Sequence, residues 1–91
     1  MRRAALFALT LAPAPAAASS GDAWEEFRTM VRDTCLAQIE MGGTIEIEVN
    51  PFGSQTYGAA IVTVTSDGEG VQRMICIVDK ATGAAELTVP Y

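Results

Sequence analysis

Cys35 and Cys76 are the only thiols in the chain, and they offer its most definite chemistry. A thiol–disulfide oxidoreductase usually sets its cysteines one helical turn apart, as Cys-x-x-Cys. These two lie forty-one positions apart. That spacing suits a structural cross-link, and two cysteines allow only one internal pairing. Histidine is absent. Ser-His-Asp and Cys-His catalysis, the usual zinc sites and a protonation switch near neutrality are therefore excluded.

Carboxylates are the remaining source of chemistry. Glu46 and Glu48 share one face of a strand-like run, roughly 6–7 Å apart by strand rise. Paired carboxylates at such a distance occur in glycosidases, but nothing beside them suggests a cleft, so a solvated outer face is expected. Asp67 and Glu69 sit in a glycine-rich loop and make a poor calcium site, which needs six to eight oxygens. Gly68 and Gly70 read as turn residues, because no Lys-Ser or Lys-Thr follows them as in a phosphate loop. The expectation is a protein that is not an enzyme, with no cofactor and no bound metal. Phe52 and Tyr57 flank or lie in the longest irregular segment, Asn50 to Gly58, where binding residues tend to gather. Core packing competes with a binding role for both.

These residues need elements to position them. Trp24, Phe27, Val31, Cys35 and Ile39 recur at helical spacing on one stripe, widened by Met30 and Leu36. Asp22 and Glu25 suit a capping box, and Gly42-Gly43 suits a helix end, so a helix over 22–41 is expected. Thr44 to Val49 alternates strictly, Ile45, Ile47 and Val49 against Thr44, Glu46 and Glu48, as a half-buried strand does. Asn50-Pro51-Phe52-Gly53 reads as a turn. Thr56–Thr65, Val71–Asp79 and Ala85–Val89 read as three more strands, joined by turns at 66–70 and 80–83. Pro90 fits a strand end on a sheet edge.

The fold class expected is α+β: one N-terminal helix on a four-stranded antiparallel meander, tied to the third strand by Cys35–Cys76. Cys76 then brings Met74 and Val78 to the helix side and sends Ile75 and Ile77 to the other. Either Ile61 or the pair Val62 and Val64 joins Ile75 and Ile77, since the hairpin register is open at this stage. A second apolar face on a one-helix domain is the oddity of the sequence. Either the sheet curls so that both faces are partly covered, or Ile75 and Ile77 form a partner or dimer surface.

The N-terminus has the form of a sorting signal. Arg2 and Arg3 precede the apolar run Ala4 to Ala12, which is shorter than the roughly 20 residues a membrane span needs. Residues 1–18 are expected to be a cleaved secretory peptide and residues 19–91 a single small domain, periplasmic or secreted. Without Arg2 and Arg3, four basic residues face eleven acidic ones and the net charge falls from −5 to −7. Such a surface favours solubility and repels nucleic acid and anionic lipid, so neither nucleic-acid binding nor membrane insertion after cleavage is expected.

The hairpin Cys-Ile-Val-Asp-Lys-Ala-Thr-Gly, residues 76–83, is similar over about a dozen residues to hairpins closing small exported domains of the PepSY type. A helix followed by a four-stranded meander also looks like the cystatin arrangement. Gln55-Thr56-Tyr57-Gly58 departs from the Gln-x-Val-x-Gly of the cystatin inhibitory loop, so no functional residue is carried over. The functional expectation is a small exported binding or inhibitor-like module whose protein partner the sequence does not specify. The alternative is a self-associating envelope protein that dimerises through the outer sheet face. Ile75, Ile77, Phe52 and Tyr57 are the candidate partner surface.

Overall fold

The computed structural model describes residues 20–91. The proposed signal peptide, residues 1–18, lies outside them. One helix, α1 (Gly21–Gln38), is followed by four strands: β1 (Thr44–Val49), β2 (Tyr57–Ser66), β3 (Gly70–Asp79) and β4 (Ala85–Leu87). The strands form one antiparallel sheet in the order β1-β2-β3-β4. This is the expected α+β meander. α1 lies across one face of the sheet and is linked to β3 by the Cys35–Cys76 disulfide, with Cα atoms 6.0 Å apart. That distance lies within the range that an unstrained bridge requires.

The helix ends differ from the sequence reading. The N-cap is Ser20, whose Oγ accepts a hydrogen bond from the Ala23 backbone N–H at 3.1 Å. Asp22 lies within the first turn, where its charge suits the helix dipole. α1 stops at Gln38 with Ile39 extended, before Gly42-Gly43 is reached. The glycines serve the approach to β1 instead. Gly43 has φ +127°, and a Cβ there would stand 2.5 Å from the Thr65 carbonyl oxygen. Leu36 falls off the buried stripe and is exposed, whereas Met30 packs against the core.

The β2–β3 hairpin settles the open register. Ser66 pairs with Gly70 across a three-residue loop, so Ile61 faces Ile75, Val62 faces Met74 and Val64 faces Gln72. Gly68 and Gly70 both have positive φ, which three-residue hairpin loops favour. Val62 and Val64 therefore point toward α1 and Ile61 points away. The core is Val31 and Cys35 of α1 against Ala60, Val62, Val64, Met74, Cys76 and Val78. Among the described residues, no buried residue is polar or charged.

β4 is shorter than the expected 85–89, but pairing with β3 continues past Leu87. Thr88 N–H bonds to the Ile75 carbonyl at 2.9 Å, and Tyr91 N–H to the Arg73 carbonyl at 2.9 Å. Between them, Pro90 has no donor to give. The Thr88 hydroxyl accepts from the Ile75 N–H at 2.9 Å, so a side-chain oxygen continues the ladder at this edge.

Candidate functional site

Among the described residues the sheet has two faces and one helix, so one face is left open. On it, strand alternation places Glu46 and Glu48 of β1, Tyr57, Ala59, Ile61, Thr63 and Thr65 of β2, Val71, Arg73, Ile75 and Ile77 of β3, and Glu86 of β4. The cross-strand rows follow from the register. Glu48, Ile61 and Ile75 form one row. Ala59, Ile77 and Glu86 form the next. Ile61, Ile75 and Ile77 are 41%, 37% and 36% exposed. Each is partly shielded only by its neighbours on the same face, and α1 does not reach them.

This face is shallow. Ala59, small among isoleucines, leaves a depression of about 220 Å³ bounded by Glu48, Pro51, Ile61 and Ile75. A second depression lies beyond Ile77, between Tyr57, Asp79 and Glu86. Sites for small ligands run to about 300–1,000 Å³ and enclose most of the ligand; the first depression is smaller, and the second, at about 460 Å³, is within that range but open to solvent. A face with shallow depressions on both sides of an isoleucine ridge suits a protein surface better. Glu46 and Glu48 project into solvent from β1. Among the described residues, no three metal-ligating side chains come together.

The four residues expected to form a partner surface do not lie together. Ile75, Ile77 and Tyr57 share the open face, at 37%, 36% and 46% exposure. Phe52 is on the helix side, where its ring meets Trp24 edge-on at 4.9 Å between centroids. Trp24 in turn meets Phe27 edge-on at 5.6 Å. Lys80 Nζ stands 4.8 Å from the Phe27 ring centroid and donates to the Phe52 carbonyl at 3.1 Å. Arg28 donates to the Pro51 carbonyl, also at 3.1 Å. The segment 50–56 is thus clamped from both sides. Asn50 Oδ1 holds its turn by accepting from the Gly53 N–H at 2.8 Å. Ser54 N–H closes it on the Tyr57 carbonyl at 2.7 Å. The irregular segment is tied down at the surface, where Phe52 stays 54% exposed while its ring rests on Trp24.

Sequence reasoning missed what the cations do. Arg32 reaches the Ile47 carbonyl at 3.1 Å. The Asn50 N–H bond to the Ala59 carbonyl, with the β1–β2 register, turns the even-numbered groups of β1 toward β2. The Ile47 carbonyl therefore faces the free edge, and Arg32 covers it, as charged side chains often do at sheet edges. Arg73 lies over the Tyr91 ring at 5.5 Å. All four basic residues beyond Arg3 are thus engaged with backbone carbonyls or aromatic rings. No pattern in the sequence announces such contacts.

No protein-family model, no curated protein and no solved structure matches this chain. A disulfide is typical of an oxidising or extracellular compartment.

Proposed function

We propose that this is an exported, non-enzymatic binding module that engages a protein partner through the open face of its sheet. The observation that carries the reading is the Ile61–Ile75–Ile77 ridge, left uncovered by the only helix among the described residues. Contiguous apolar patches of this kind commonly mark contact sites. The buried disulfide supports export, since glutathione and thioredoxin keep most cytosolic thiols reduced. It agrees with reading residues 1–18 as a signal peptide and the periplasm or exterior as the destination. Lack of histidine and the solvated placement of Glu46 and Glu48 favour binding over catalysis.

The test uses affinity capture from the exported fraction of the producing cells, with the oxidised protein as bait. A saturable partner is expected at near-stoichiometric yield. Ile75→Asp is expected to weaken that capture by at least about tenfold, because a buried unpaired carboxylate at an interface costs several kcal/mol. The same substitution should cost the free domain only about 1 kcal/mol, since Ile75 lies outside the core. Unchanged capture by a folded Ile75→Asp protein would remove the open face from the account.

A further inference from the structure

We infer that the partner of the open face is basic: an amphipathic protein segment with an apolar centre and cationic side chains at both ends. This rests on the binding reading above and gives the partner its chemistry. Charge complementarity points to this partner.

The isoleucine ridge has carboxylates at both borders. Glu48 stands in the row of Ile61 and Ile75 on edge strand β1, and Glu86 in the row of Ile77 on edge strand β4. Three strand spacings separate these edges, roughly 15 Å. Glu46 adds a third exposed carboxylate on β1. Arg73 is the one cation on this face of β1–β4, and its guanidinium lies 5.5 Å from the centre of the Tyr91 ring. Arg28, Arg32 and Lys80 are on the helix side, bound to the carbonyls of Pro51, Ile47 and Phe52. Among the described residues, therefore, no cation other than Arg73 is on the open face to neutralise Glu48 and Glu86. A partner that brings its own cations to both borders gains attraction at each and buries the ridge between them. About ten residues of helix cover that span, at roughly 1.5 Å per residue.

A second copy of this chain fits less well. Strands of six, ten, ten and three residues give a face of roughly 450 Å². Two such faces bury roughly 900 Å² in total, below the 1,200–2,000 Å² or so of stable specific interfaces, so area alone stabilises no occupant and charge decides between them. Each copy would also carry a net charge of −7 if Arg2 and Arg3 are removed, and like charges across an interface are costly.

Selection from a displayed random-peptide library against the oxidised protein tests the inference. The enriched sequences are expected to be cationic and to contain aliphatic or aromatic residues. Their affinity should fall about tenfold or more for Glu48→Lys/Glu86→Lys. It should stay within about threefold for Glu26→Lys/Asp33→Lys, which changes the net charge equally but on the exposed side of the helix. Circular dichroism confirms that both variants fold. Neutral or acidic binders that still depend on Ile75 would overturn the basic partner and leave the face standing. Binders indifferent to Ile75→Asp, or no enrichment, would overturn both. So would Glu48→Lys/Glu86→Lys and Glu26→Lys/Asp33→Lys weakening binding alike for the basic partner, since attraction would then be only to net charge. A dimer in sedimentation that Ile75→Asp dissociates would install the second copy in its place.

Discussion

Cys35→Ala/Cys76→Ala is expected to lose about 4 kcal/mol of stability. In the chain-entropy model, a bridge closing a loop of about 42 residues restricts the unfolded chain by that amount. The loss matters because the domain is small. Seventy-odd residues bury a limited core, and net stabilities run at roughly 0.05–0.15 kcal/mol per residue. Both half-cystines are fully buried between α1 and β3, so the substitution also removes sulfur atoms from the core and adds a cavity cost. In melting temperature the loss corresponds to roughly 15–30 °C. Urea titration of oxidised wild type and variant, followed by circular dichroism, measures it. A difference under about 1 kcal/mol would show that helix packing alone holds the fold.

Gly58→Ala follows, with an expected cost of about 1–3 kcal/mol. Gly58 is where α1 comes closest to β2. A Cβ built there stands 2.7 Å from Val31 Cγ2 and 3.1 Å from Phe27 Cζ. Val31 is fully buried and β-branched, with little rotamer freedom in a helix, so it does not swing aside. The helix must lift, yet the disulfide fixes it one turn further along at Cys35. Alanine would normally favour a strand over glycine by roughly 0.5–1 kcal/mol, and a stabilised protein would show that the approach is looser than described. Val31→Ala in the same background separates the causes. The pair should cost less than the sum of the single changes, by about 1 kcal/mol or more, because the smaller residue makes room for the new methyl group.

How much of this was legible in the sequence depends on the kind of signal. The helix stripe and the β1 alternation are periodic over many residues, and periodicity survives folding because it records which side meets the core. The disulfide was legible because two cysteines leave one pairing. The hairpin register was not, since a three-residue or a four-residue loop suits Ser66-Asp67-Gly68-Glu69-Gly70, and the one-residue shift between them turns Ile61 and Val62 to opposite faces. Positive φ at Gly68 and Gly70 became informative only with the pairing known. The helix ends were misread for a related reason. Asp22 and Ser20 are both good caps, and the chain left the helix at Ile39 because it had to turn toward β1. Phe52 is exposed, as its place in a loop leads one to expect. Its contact with Trp24, twenty-eight positions away, is tertiary and has no local trace. Tyr57, only five positions further on, lands on the opposite side of the sheet.

The open face divides the molecule by role. Three of the four basic residues beyond Arg3 lie on the helix side, bound to backbone carbonyls beside the aromatic corner. The other side keeps isoleucines in the open and carboxylates without partners among the basic residues of the sheet. A domain that sought only its own stability would gain from polar residues at Ile61, Ile75 and Ile77, which would lower its tendency to aggregate at little cost to the core.

Photo-cross-linking in the producing cell, with a benzophenone side chain at Ile75 and, separately, at Asp33 on the exposed side of α1, reaches the central claim most directly. A discrete adduct with a second protein from position 75, and none from position 33, is the predicted result. Equal labelling from both positions, or no adduct from position 75 in a folded and exported protein, would contradict it.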